Sequence, residues 1–146
     1  ETENDAVDMA IRDQERADVD VISDGEMRRQ GFIVSIFGSF TGLRPIPPRR
    51  KIGILSYDGH THYEPVDRIR APAGLGMRKE LAYLRGATAR PFKLTCPGPL
   101  TLATQITPGG PYRSRLEVAA ELAGIINAEL RALAADGARY VQLDDV

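Results

Sequence analysis

The chain has 146 residues and a formal net charge of −1, from 19 basic and 20 acidic side chains. Hydrophobic residues make up 42% by a count that includes Tyr and omits Gly; on the usual apolar set the share falls inside the ~45–50% of globular domains, which excludes a disordered chain. Near-neutral charge gives no global pull toward nucleic acid or an anionic membrane, no apolar run approaches the ~18 residues of a spanning helix, and a single cysteine excludes both a disulfide framework and a Cys-only zinc site.

The chain opens at Glu1 with no initiator Met and no signal-peptide pattern, and it stops at Val146, just after an acidic pair that closes an apolar segment. These ends lead to the expectation of one partial domain, residues 1–146 of a longer cytoplasmic, soluble α/β protein.

Residues Asp5–Arg16 read as a helix, with Ala6, Met9, Ala10 and Asp13 at helical spacing and Thr2/Asp5 as a capping box. Val19–Ile22 predicts a short strand broken by Ser23-Asp24-Gly25-Glu26. The stretch from Gly31 to Ala73 reads as irregular, with prolines at 45, 47 and 48 beside the basic run Arg49-Arg50-Lys51. Within it, Ile52–Tyr57 and His62–Ile69 predict a hairpin about the turn dipeptide Asp58-Gly59. Leu75–Leu84 predicts a second helix with Met77, Leu81 and Leu84 on one side.

Phe92–Cys96 follows as a second main strand, ended by Pro97-Gly98-Pro99. The strongest helix comes next, with Leu116, Ala119, Ala123, Ile126, Leu130 and Leu133 recurring at steps of three and four. Ser114 and Glu117 are spaced as its capping box, and Gly137 stands where a left-handed cap belongs. Arg139–Leu143 predicts a third main strand, finishing in Asp144-Asp145.

This βα alternation predicts a parallel sheet, either open and doubly wound or part of a (β/α)8 barrel. No Gly-rich phosphate loop follows the first strand, and the strands end in acidic or Pro/Gly residues, so the expectation is a TIM-type barrel represented by its N-terminal part. About three parallel strands and an inserted hairpin would lie in this chain.

Two acidic pairs at strand C-terminal ends carry the candidate chemistry. In a parallel sheet the carboxylates of Asp24, Glu26, Asp144 and Asp145 project toward one opening, where they suit a cationic substrate group, a metal or acid/base work. Glu26 and Asp144 are the leading candidates; Asp24 and Asp145 also suit helix caps or solvated loop charges. His60 and His62, with Asp58 or Glu64, offer a conceivable metal pair, but exposed hairpin histidines are the favoured reading. Cys96, at the end of a buried strand, reads as packing rather than a reactive thiol. The basic run has no interleaved aromatic residues, which disfavours nucleic acid as a partner.

The three strand segments together resemble a known family. Val19-Asp20-Val21-Ile22-Ser23-Asp24-Gly25-Glu26-Met27-Arg28-Arg29 is similar to the second-strand motif of the cobalamin-independent methionine synthase catalytic barrel. Leu94-Thr95-Cys96-Pro97-Gly98-Pro99-Leu100-Thr101 resembles its Gly-Pro-containing third-strand segment, and Tyr140-Val141-Gln142-Leu143-Asp144-Asp145 its fourth-strand motif. The resemblance implies zinc-dependent transfer of a methyl group, from a donor such as methyltetrahydrofolate, to the thiol of homocysteine. It also implies that Glu26 and Asp144 hold the amino acid's ammonium group, a cation that needs charge-assisted acceptors in a partly dry pocket. The family's zinc ligands come from later strands, so the chain is expected to supply amino-acid-binding residues and no metal ligands. Two departures stand out. The chain has no Trp, with Gln105 near the position where the family stacks one on the donor, and Arg68-Ile69-Arg70-Ala71-Pro72 is a distant echo of a Ser-Arg-Cys-containing segment.

Two rival readings remain at this stage. One keeps the barrel but changes the chemistry, to a different thiol acceptor or a decarboxylation. The other is a non-catalytic half-barrel that binds a ligand or self-associates through its open strand edges.

Overall fold

The structure, a computed structural model, describes residues 2–29, 31, 33–48 and 61–145. The first helix, α1 (Thr2–Arg16), begins earlier than predicted, so Thr2 lies inside it and does not cap it. Its buried side is also rotated from the predicted stripe. Val7 and Ile11, an i,i+4 aliphatic pair, enter the core, while Met9 is 64% exposed. Larger aliphatic area outweighed the predicted Ala-Met stripe.

The strand predicted at Val19–Ile22 contracts to one parallel bridge, Ile22 with Phe92. Ile22 donates to Pro91 O at 3.0 Å and accepts from Lys93 N at 2.8 Å. A left-handed Asp18 ahead of it and the acidic turn behind it limit this strand, and only Ile22 of its four residues is fully buried.

The central stretch is more ordered than predicted. A 3-10 helix (Val34–Ser39) leads into β1 (Thr41–Ile46), which pairs antiparallel with β2 (His62–Arg70). Among the described residues β2 pairs with β1, with Ile46 opposite His62 and a bulge between Thr41 and Leu43; the predicted partner Ile52–Tyr57 lies outside the described residues. Residues 49–60, including the basic run, Asp58, His60 and the predicted first hairpin strand, lie outside the described residues. β1 has one neighbour among the described strands, which is why it tolerates Pro45. The ribbon is docked at Tyr63, whose ring stacks on Phe37 at 4.1 Å and whose backbone bonds to Gln105 and Thr107.

α2 (Met77–Ala87) buries Met77, Leu81 and Leu84, the predicted side. β3 (Lys93–Pro97) is followed at once by a short helix, α3 (Pro99–Ala103), that the sequence reading missed. Pro99 favours this start because its fixed φ suits the first helical position and it has no N–H to satisfy. α4 (Arg115–Ala135) is capped as predicted, with Ser114 Oγ accepting from Glu117 N at 3.2 Å. The Glu117 carboxylate reaches one residue further back than expected, to Arg113 N at 2.7 Å. At the other end Gly137 N donates to Ala134 O and Ala138 N to Leu133 O, a Schellman cap with Gly137 at φ 82°.

The buried stripe of α4 is Val118, Ala119, Leu122, Ile126, Glu129 and Leu133. Two of the predicted core positions are corrected: Leu116 is 72% exposed and Ala123 is also exposed, since Val118 and Leu122 define a stripe on a different side. Glu129 survives in that stripe because its carboxylate accepts from Leu75 N at 3.0 Å and Met77 N at 3.2 Å, closing the start of α2.

β4 (Tyr140–Asp144) runs parallel to β3, with Lys93 opposite Tyr140 and Pro97 opposite Asp144. Chain order along this layer is Ile22, β3, β4, with Leu94 and Cys96 in the same hydrophobic cluster as residues of α1, α2 and α4. The α/β class holds. The expected three parallel strands are two strands and a bridge, and no closed barrel forms among the described residues. No helix among them is long and apolar enough to cross a membrane.

Candidate functional site

The acidic turn after Ile22 is built by its own side chains. Asp24 is 4% exposed, and its Oδ1 accepts from Glu26 N at 2.9 Å, while Gly25 N donates to Ser23 Oγ at 3.2 Å. From α1, Gln14 clamps the turn, donating to Ser23 O at 2.8 Å and accepting from Ser23 N at 2.9 Å. Gly25 and Glu26 are both left-handed, at φ 66° and 57°. A side chain in that region costs roughly 1–2 kcal/mol. Glutamate stands there although glycine would relieve the strain, and it adds a carboxylate to the turn.

That carboxylate leans over β3. Glu26 Oε1 accepts from Thr95 Oγ1 at 2.5 Å and from Arg29 Nη1 at 3.4 Å. Arg29, whose side chain is 7% exposed, also donates to Thr95 O at 2.7 Å and pairs with Glu80 of α2 at 3.0 Å. Burial alone would lower the pKa of Arg29, but the Glu80 hydrogen bond and the charges of Glu80, Glu26 and Asp24 raise it. Burial pushes the Glu80 carboxyl up despite the opposing pull of Arg29.

Register then fixes where the second acidic pair lies. Thr95 is opposite Gln142 and Pro97 opposite Asp144, and residues two apart on a strand share a face. Gln142 Nε2 donates to Asp144 Oδ1 at 2.7 Å, so both project from the face that carries Thr95 and, through it, Glu26. Glu26 and Asp144 thus stand on one face, after the C-terminal ends of the two parallel segments that lie on either side of β3.

Asp24 and Asp145 do different work. Asp24 Oδ1 holds the turn, and its buried Oδ2 has no hydrogen-bond partner among the described residues. Asp145 Oδ1 accepts from Thr101 N at 2.7 Å, capping α3 from the next strand. Its approach needs Gly98, where an added Cβ would sit 2.4 Å from Asp145 Cγ.

The remaining candidates do not converge. Cys96 is fully buried and burial pushes its thiol up to about 11, so it is a protonated packing group at neutral pH. His62 is exposed on β2, and the Glu64 carboxylate is paired with Arg44. No group of three metal-ligating side chains forms among the described residues. A cavity of about 330 Å3 lined by Arg85, Arg90, Phe92, Arg139 and Tyr140 lies at the opposite ends of β3 and β4, away from the acidic pairs.

Sequence reading missed Thr95, Arg29 and Glu80 as members of the site. Thr95 had a signal, as the single hydroxyl within an otherwise apolar strand end; Arg29 lies three residues after Glu26, but the contacts that fix it, to Glu80 and Thr95, span 51 and 66 residues and left none.

The whole chain, residues 1–146, matches the family described as cobalamin-independent synthase, catalytic domain. It is 30% identical to a methionine synthase of Sulfurisphaera tokodaii over 97% of this chain and 41% of that protein. It is 31% identical to a 2-hydroxypropyl-CoM lyase of Xanthobacter autotrophicus over 99% of this chain and 38% of that protein. The structure superposes with a TM-score of 0.77, at 28% identity, on a B12-independent methionine synthase from Shewanella sp. W3-18-1 solved in complex with selenomethionine, covering 97% of this chain and 41% of that one. This chain therefore spans about two fifths of the length of the relatives it matches. The three strand-end segments and these likenesses lead to one assignment: the chain belongs to the cobalamin-independent synthase catalytic-domain family.

Proposed function

We propose that the chain is the N-terminal part of a TIM-type (β/α)8 barrel that transfers a methyl group to the thiol of homocysteine, in which Glu26 and Asp144 bind the amino acid's ammonium group. The observation that carries the reading is the placement of these two carboxylates on one sheet face, at the C-terminal ends of the two parallel segments that flank β3. An ammonium offers three donors, and two carboxylates oriented from different strands give it charge-assisted acceptors with a defined direction. Asp24 and Asp145 support it indirectly, by holding the turn of Glu26 and the end of β4.

The described residues do not fit a zinc site. Cys96 faces the core as a protonated thiol and no ligand cluster forms among the described residues, so no step of this reading runs through zinc or the methyl donor. What this segment does is bind and orient the amino-acid end of the acceptor.

In the full-length protein, Glu26→Gln and Asp144→Asn are each expected to weaken homocysteine binding about tenfold, the value of one hydrogen bond to a charged group. Isothermal titration checks this, and unchanged affinity in both variants sinks the assignment. A second reading, the same barrel acting on a thiol without an amino group, is favoured by the 2-hydroxypropyl-CoM lyase relative and by the absence of Trp. Tighter binding of such a thiol than of homocysteine selects it.

A further inference from the structure

We infer that Arg29 is a positioning residue for the Glu26 carboxylate, with Glu80 as the counter-anchor that holds and neutralises it. This rests on the reading that Glu26 binds an ammonium group, and it adds the device that aims Glu26. The guanidinium is fixed at three points: Glu80 Oε2 at 3.0 Å, Thr95 O at 2.7 Å and Thr95 Oγ1 at 3.3 Å. Its Nε adds a second, longer contact to Glu80 Oε1 at 3.4 Å. From that position Nη1 and the Thr95 hydroxyl both donate to the same oxygen, Glu26 Oε1. The other oxygen, Oε2, has no hydrogen-bond donor among the described residues and is the one left for a ligand's N–H.

A guanidinium beside the site also repels an incoming ammonium, so geometry and charge oppose each other. Glu80 settles the balance. Its two oxygens both accept from Arg29, so the cation is compensated within its own pair and acts on Glu26 as a brace. The long 3.4 Å contact to Glu26, against 3.0 Å to Glu80, is the arrangement such a brace needs. The neighbouring Arg28 is engaged elsewhere, over the Tyr83 ring at 4.0 Å and with Asn4.

The test uses the full-length protein, homocysteine, and 4-mercaptobutyrate, the same thiol acid without the amino group. Arg29→Gln is expected to weaken homocysteine binding about tenfold while leaving 4-mercaptobutyrate within about twofold. In a Glu26→Gln background the same change is expected to cost less than about twofold more, because the brace has no carboxylate to aim. Equal losses for both ligands, an unchanged or raised homocysteine affinity, or full additivity with Glu26→Gln overturns the inference. If Arg29→Gln fails to fold, Glu80→Gln decides: roughly threefold weaker homocysteine binding is expected from the uncompensated guanidinium, and unchanged affinity overturns it. A Glu26→Gln variant that binds homocysteine normally removes the underlying reading; normal binding by the Arg29 variant alone removes only the brace.

Discussion

The two acidic strand ends each carry two carboxylates and are built in different ways. At the first, Asp24 secures the backbone of its own turn, Gln14 clamps the entry from α1, and Glu26 is displayed from a left-handed residue braced by Arg29 and Thr95. At the second, Asp145 borrows a partner from another element, the Thr101 N–H of α3, and Asp144 is oriented by Gln142 of its own strand. One end stores strain and surrounds it with buried contacts; the other lies on β4, which has β3 as its neighbour among the described strands. A carboxylate that must point in one direction can be fixed by its own loop or by a neighbour, and the neighbour's version depends more on what covers the edge.

The largest expected effect concerns β3, the strand both ends lean on. Thr95 faces the site and Cys96 the core. The Cys96 thiol titrates at 9.0 when unperturbed and at about 11 in the fold, because burial disfavours the thiolate. The folded chain holds this proton more tightly. The contribution of this thiol to stability is therefore constant below pH 9, declines as pH rises from 9 to 11, and is about 3 kcal/mol smaller beyond that. Urea unfolding of the full-length protein against a Cys96→Ala variant checks it: the variant starts less stable at neutral pH and lacks this part of the alkaline decline.

The two ends should then separate in stability. Asp24→Ala removes a buried acceptor from a strained turn and is expected to cost about 2 kcal/mol. Asp145→Ala removes a single cap from the short helix α3, whose Thr101, Leu102 and Ala103 stay buried, and is expected to cost about 1 kcal/mol. Equal losses in urea titrations would erase the distinction between a self-built and a borrowed support.

Much of this was legible in the chain. The acidic pairs, the Pro-Gly-Pro stop and the caps of α4 are local signals, set by side-chain-to-backbone bonds within a few residues, and Ser114 and Gly137 act as read. Element faces were less legible. Alanines fit almost any stripe, so Ala6 and Ala123 drew the predicted faces of α1 and α4 away from Val7 and Leu122. The β1 strand in the central ribbon was not read, because its partner β2 is more than fifteen residues away and no local feature such as a turn dipeptide advertises Thr41–Ile46. Glu80 and Glu129 act only through contacts more than fifty residues apart, and Arg29, although three residues from Glu26, is held in place by contacts of that length, which periodicity does not encode.

Gly98 offers the finest probe of the borrowed support. Its φ is −70°, an ordinary value, so an alanine there meets no backbone strain; the obstacle is Asp145, whose carboxyl carbon would lie 2.4 Å from the new Cβ. Asp145 must then move, and its bond to Thr101 N is lost with it. Gly98→Ala is therefore expected to cost about what Asp145→Ala costs, near 1 kcal/mol, and the double variant little more than either alone. A double-mutant cycle in urea measures this directly. Additive losses would mean that Gly98 serves the strand end by some route other than admitting Asp145, and the parallel between the two acidic ends would hold for their paired carboxylates alone.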